Sequence, residues 1–197
     1  TEESYEKYLS PCPEGKYACL PFSDSPFGGG SNICESLYLK VIYNAKKYVY
    51  INTPYLIIDD EMKRALITAA HSGVDVRITV PHIPDKKYVY AVTKAFCTPL
   101  IKEGVHIYFY SPGFIHAKSI VSDGNACIIG SSNMDFRSFY LHCECNIMFF
   151  DKEICEDLHD DYLQTCAESE LMTEKKTKTN FLRKIYRSVL RVFAPLM

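Results

Sequence analysis

His116 and Lys118 stand two residues apart in the stretch FIHAKSIVSDGNACIIGSSNMDFRS, residues 114–138. Side chains alternate along a strand, so Phe114, His116, Lys118 and Ile120 are expected on one face. An imidazole and an ammonium on an otherwise apolar hairpin are costly to bury without a partner. That face is therefore expected to line a cavity that receives an anion. Asp123-Gly124-Asn125 reads as a tight turn tolerant of positive φ. Residues 126–129 read as the returning strand, and Gly130-Ser131-Ser132-Asn133 as a small polar loop carried back to the same cavity. A histidine beside a fixed cation and amide donors suits nucleophilic attack on phosphorus. The imidazole attacks, while Lys118 and Asn133 stabilise charge on the non-bridging oxygens. Taken singly, each residue has a plainer reading: a hydrogen-bonded strand histidine, or an edge lysine with its stem on apolar surface.

The elements around this hairpin follow from periodicity. Residues 1–16 read as a linker or leader, 17–22 as an edge strand, and 23–30 as a loop. Helical spacing of Cys34, Leu37, Tyr38, Val41, Ile42 and Ala45 predicts a helix over 32–47, with Asn32 and Glu35 as a capping box. A strand over 48–52 ends at Thr53-Pro54-Tyr55. Loops at the carboxyl ends of parallel strands often line sites, so Tyr55 is a pocket candidate as well as an ordinary packing tyrosine. A helix over 60–72 closes at Gly73, and a strand over 74–80 ends at Pro81. A helix over 86–103 carries a break or kink at Pro99, followed by a strand over 105–110. This β-α-β-α-β order implies parallel pairing with right-handed crossovers. In a strand over 142–150, His142, Glu144, Asn146 and Met148 share a face. If that strand lies beside the His116 strand, Glu144 accepts a hydrogen bond from His116 and fixes its tautomer; otherwise it pairs with Arg137. A helix over 151–168 starts with acidic residues, as the macrodipole prefers.

Composition narrows the class. At 197 residues and 47% hydrophobic, the chain suits one α/β domain with a sizeable core. The mixed sheet is expected between layers of helices. No apolar run reaches membrane-spanning length. The chain opens at Thr1, which fits a trimmed fragment. Seven of the 22 basic residues lie from Lys175 onward, where no acidic residue occurs. The preceding 174 residues thus hold 15 basic and 24 acidic groups, a balance that disfavours nucleic acid. Residues 180–193 read as a basic amphipathic helix suited to an anionic membrane surface, or to docking on its own domain. The nine cysteines read as reduced thiols. Cys143 and Cys145, beside His142, lack a second close pair for zinc and are expected as buried small hydrophobes.

His116-x-Lys118, four residues, Asp123, six residues, then Gly130-Ser131-x-Asn133 matches the HxK(x)4D(x)6GSxN signature, and the chain thereby resembles the phospholipase D superfamily. Asn52-Thr-Pro-Tyr55, Gly73-Val-Asp-Val-Arg77, Gly104-Val-His-Ile-Tyr108, Asn133-Met-Asp-Phe-Arg-Ser138, Glu144-Cys-Asn146 and Phe193-Ala-Pro-Leu-Met197 are similar to the carboxy-terminal half of bacterial cardiolipin synthases. The resemblance runs from about Tyr17 to the last residue. It implies a phospholipase D-like lobe over 17–174, with the basic helix over 175–197 as an appendage. Two such lobes face each other in that superfamily, each supplying one His-Lys-Asp motif. This chain has one, so the other comes from a missing amino-terminal portion or from a second copy. The implied reaction joins two phosphatidylglycerol molecules into cardiolipin and releases glycerol, through a phosphohistidine. His116 is nucleophile or general acid-base. Lys118, Asn133 and Ser131 bind phosphate oxygens, Asp123 supports the hairpin, and Glu144 orients the histidine. No metal or cofactor is implied, and the expected location is the cytoplasmic side of a bacterial membrane. Alternatives are a homodimeric phosphodiesterase or nuclease, another phosphatidyltransferase or phospholipase, and a non-catalytic partner lobe.

Overall fold

Val49 and Ile51, Val76, Ile78 and Val80, and Ile107 and Phe109 come from three strands, yet all are buried in one apolar layer. Strict alternation along each strand places their neighbours Tyr48, Tyr50, Arg77 and Tyr108 on the opposite face. The computed structural model describes residues 15–27, 32–177 and 180. The elements are β1 (Cys19–Asp24), α1 (Ile33–Asn44), β2 (Tyr48–Asn52), β3 (Leu56–Ile57), α2 (Asp60–His71), β4 (Asp75–Pro81), α3 (Lys87–Lys102), β5 (His106–Tyr110), β6 (Ser119–Ser122), β7 (Ala126–Gly130), β8 (Met134–Asp135), β9 (Glu144–Phe149), α4 (Lys152–Ala167), β10 (Ser169–Leu171) and α5 (Glu174–Thr177). A π-helical turn, Arg137–Leu141, links β8 to β9. The amphipathic helix expected over 180–193 lies almost wholly outside the described residues.

Eight strands form one mixed sheet in the order β1-β9-β7-β6-β2-β4-β5-β10. The expected parallel core is β2-β4-β5, and the hairpin strands join it antiparallel through β6. Helices α1, α2 and α3 cover one face over the main core. Helix α4 lies on the other, where Tyr50, Val121, Cys127, Cys155, Tyr162 and Cys166 are buried together. The mixed sheet between helical layers is thus as the pattern predicts. A second, two-stranded sheet pairs β3 with β8 in parallel, which periodicity did not show.

Several local expectations are corrected. Asn32 sits at the start of α1 but makes no side-chain cap; Asp24 Oδ2 accepts the Cys34 N–H instead, at 3.2 Å. Glu35 cannot turn back as a capping partner, because packing of α1 buries it against Tyr140. Pro99 lies inside α3 without ending it. Buried Val92, Phe96 and Leu100 hold that helix to the core on both sides of the proline. Cys143 and Cys145 are exposed rather than buried, since β9 turns Glu144, Asn146 and Met148 inward.

Candidate active site

The hairpin begins later than its alternation implies. β6 starts at Ser119, and residues 114–118 run outside the ladder as a lead-in. The reason is the length of its neighbour: Asn52, the last residue of β2, pairs with Ser119. Beyond it the lead-in has no strand on that side among the described residues, which frees His116 and Lys118 to edge a groove. At the other end, Asp123 and Gly124 both take positive φ, 53° and 68°, and Asn125 N–H donates to Ser122 O at 3.1 Å. The Asp123 carboxylate accepts the main-chain N–H groups of Lys46, Lys47 and Tyr48 at 2.6, 2.9 and 2.9 Å. Asp123 therefore ties the α1–β2 turn to the hairpin, at the opposite end of β6 from His116.

His116, Lys118, Ser119, Gly130, Ser131 and Asn133 line an open groove of about 640 Å³, with Leu158 and Asp161 of α4 on its far wall. The exposed His116 ring lies 5.7 Å from Phe114, centroid to centroid. Lys118 is half-buried and donates from Nζ to His116 O at 2.7 Å. Burial, and secondarily the Lys118 charge, holds the His116 imidazole below its ordinary pKa, against the pull of Asp85. Burial likewise lowers Lys118, opposed by Glu144 and Asp135. The neutral imidazole, the form with a free lone pair, is thereby favoured beside an ammonium.

The loop after β7 is held by its neighbours. Gly130 is required by close approach: a Cβ there would meet Asn146 Oδ1 and lie 2.6 Å from Asn146 Cα. Asn146 Nδ2 donates to Ser132 Oγ at 2.8 Å. Asn133 N–H donates to Ser138 Oγ at 3.0 Å, Ser138 N–H to Asp135 Oδ1 at 2.8 Å, and Met134 N–H to Thr53 Oγ1 at 3.0 Å. Asn133 Oδ1 is enclosed with no hydrogen-bond partner among the described residues.

Glu144 does not hold His116. β7 separates β9 from β6 in the sheet, and the Glu144 carboxylate instead accepts the Ser131 hydroxyl through Oε2. Its Oε1 lies 3.8 Å from His142 Nδ1, and Arg137 donates to His142 rather than pairing with Glu144. Ser131 lines the groove, but its single hydroxyl proton is engaged by Glu144, and its oxygen accepts Cys145 N–H at 2.9 Å. Tyr55 donates from its hydroxyl to Asp85 Oδ2 at 2.5 Å and lines an adjoining hollow with Asn133. The structure thus brings His116, Lys118, Ser131 and Asn133 to one groove, Tyr55 to its neighbour, and leaves Asp123 apart. Asp85 and Arg137 enter the site unforeseen. Nothing in the spacing marks Asp85, whereas Arg137 lies within the Asn133–Ser138 stretch.

A hairpin that carries histidine and lysine into a groove on such a sheet defines a phospholipase D-like fold. Solved structures agree on that fold: phosphatidylserine synthase of Haemophilus influenzae Rd KW20 superposes with a TM-score of 0.71 at 13% identity, over 90% of this chain and 45% of that one. Nuc, a phospholipase D family member from Salmonella typhimurium, gives 0.66 at 17% identity, over 80% of this chain and 99% of that one. Residues 38–165 match the family model described as "Cardiolipin synthase, PLD-like domain", and the chain belongs to that family. The cardiolipin synthase of Clostridium perfringens (strain SM101 / Type A) is 39% identical over 163 residues, which are 81% of this chain and 34% of that protein. The chain therefore spans about a third of the length of such relatives.

Proposed function

We propose that this chain supplies one of two half-sites of a phosphatidyltransferase that makes cardiolipin from two phosphatidylglycerol molecules. The observation that carries the reading is His116, favoured neutral, beside half-buried Lys118 on a groove that Asn133 also lines. One histidine of the two half-sites attacks the donor phosphorus. The P–O bond to the departing glycerol breaks, and the other histidine gives that oxygen a proton. The primary hydroxyl of the second phosphatidylglycerol then passes its proton to the same base and attacks phosphorus, breaking the P–N bond. His116 fills one of these two roles. Lys118 and Asn133 hold the non-bridging oxygens, while Asp123 and Ser131 fix the hairpin and loop that aim them. The other half-site comes from a second lobe. Work is expected at an anionic membrane surface. Among the described residues no helix is long and apolar enough to cross a membrane.

The test is a product assay on phosphatidylglycerol vesicles with the active two-lobe protein. Cardiolipin and glycerol should form in equal amounts, and His116→Ala should lower the rate by about 10³-fold or more. Full retention by His116→Ala would remove the histidine from the chemistry. Phosphatidic acid as the sole product would make the enzyme a hydrolase. A second reading, in which two copies of this chain face each other, is supported by the single His-Lys-Asp motif in this sequence. Sedimentation equilibrium separates the two: a dimer supports paired copies, and a monomer places the second lobe elsewhere.

A further inference from the structure

A second hollow of about 250 Å³ adjoins the His116 groove, and Asn133 lines both. Tyr55, Lys86, Asp135, Arg137 and His142 converge on it from segments distant in sequence. Its cations are arranged rather than scattered. Arg137 Nε donates to His142 Nε2 at 3.2 Å. An accepting Nε2 places the neutral imidazole's proton on Nδ1, which faces Glu144 Oε1 at 3.8 Å. The other Glu144 oxygen takes the Ser131 hydroxyl. The run Ser131–Glu144–His142–Arg137 therefore joins the wall of the first groove to the second hollow. It fixes the guanidinium through Nε alone, and the two terminal nitrogens carry no hydrogen bond among the described residues. The nearby carboxylates are turned toward protein donors: Asp135 accepts Ser138 N–H, and Asp85 accepts the Tyr55 hydroxyl and Lys86 N–H.

We propose that this hollow, with Arg137 as its main contact and Lys86 at its rim, binds the phosphodiester of the acceptor lipid. The inference rests on the phosphatidyl-transfer reading above. In that reaction the attacking hydroxyl belongs to a glycerol that already bears a phosphodiester. That second phosphate does not react. It must rest one glycerol unit from the reacting phosphorus, and it stays anionic throughout. In a partly enclosed hollow it needs a cation, and a planar guanidinium whose two terminal nitrogens have no partner among the described residues suits two phosphate oxygens. Water or a neutral alcohol carries no such charge. The hollow thus selects an anionic acceptor over hydrolysis, and Glu144 acts as a positioning residue for Arg137 through His142.

The test is partition of a common intermediate. The active two-lobe enzyme is given phosphatidylglycerol with added ethanol, and the ratio of cardiolipin to phosphatidylethanol is measured. Both products come from the same phosphatidyl-enzyme, so the ratio is insensitive to the donor step. Arg137→Gln should lower it by at least about tenfold, the size expected for losing a charge-assisted contact. Arg137→Lys, which keeps the charge but not the fork, should fall between. A ratio within about twofold of wild type in both variants, whatever the total rate, overturns the assignment. Wild-type enzyme that forms no cardiolipin would sink the transfer reading itself. The hollow is then judged by titrating glycerophosphoglycerol into ¹⁵N-labelled protein. A shift at the Arg137 Nε–H supports the subsite, and its absence overturns it.

Discussion

Two substitutions at Asp123 separate the two physical demands on that residue. Its carboxylate receives three main-chain N–H groups at 2.6–2.9 Å, and its backbone stands at φ 53°. Asp123→Gly removes the acceptor but tolerates positive φ freely. Asp123→Ala removes the acceptor and leaves a Cβ in the left-handed region. The site is half-exposed, so water replaces part of what the carboxylate gives, and the net loss is taken as that of one charge-assisted bond, about 2 kcal/mol. The wild-type aspartate already carries a Cβ at this φ, so alanine loses about 2 kcal/mol, while glycine recovers about 1 kcal/mol of backbone strain and loses about 1 kcal/mol. Asn, which keeps one oxygen and tolerates the same φ, should lie above Gly in stability. Urea unfolding of the chain, followed by circular dichroism, reads these differences. With a slope of about 2 kcal/mol per molar, the alanine variant's midpoint should fall by about 1 M and the glycine variant's by about half that. Equal midpoints for Gly and Ala would refute the backbone argument. Losses under about 0.5 kcal/mol in both would refute the claim that this carboxylate holds the turn.

Two further predictions concern the groove itself. Gly130→Ala should cost about 3 kcal/mol or more, because the added methyl meets Asn146 main chain across the β7–β9 ladder. Unfolding by urea checks this, and a loss below about 1 kcal/mol would show that the loop can yield. Lys118→Met should raise the midpoint at which His116 titrates, since the Lys118 charge and burial both depress it. NMR titration of the His116 ring protons reads the midpoint directly, and an unchanged or lower value contradicts the electrostatic reading.

The parallel core and the hairpin were legible because Val49, Ile51, Val76, Ile78 and Val80 alternate without interruption, and because Asp123-Gly124 spells a positive-φ turn. The groove residues were legible from type and spacing. The reading of Glu144 as the partner of His116 held only if their strands were neighbours, and β7 intervenes. Of the second hollow, only Tyr55 and Asn133 were readable. Its remaining wall is built by the two-residue pairing of β3 with β8, too short to leave a periodic signal, and by Lys86, whose loop reaches the site only through tertiary packing. Glu35 misled for a similar reason: a capping partner and a buried carboxylate look alike until the helix is docked.

Pro21 lies in the middle of β1, the outermost strand of the sheet on that side, opposite Ile147 of β9. A proline there has no N–H to offer a further strand. The other margin, β10, is only three residues long. Both rims of the sheet are thus poor templates for strand addition. Among the described residues, neither edge offers a long open ladder for another chain to extend, which disfavours edge-to-edge association.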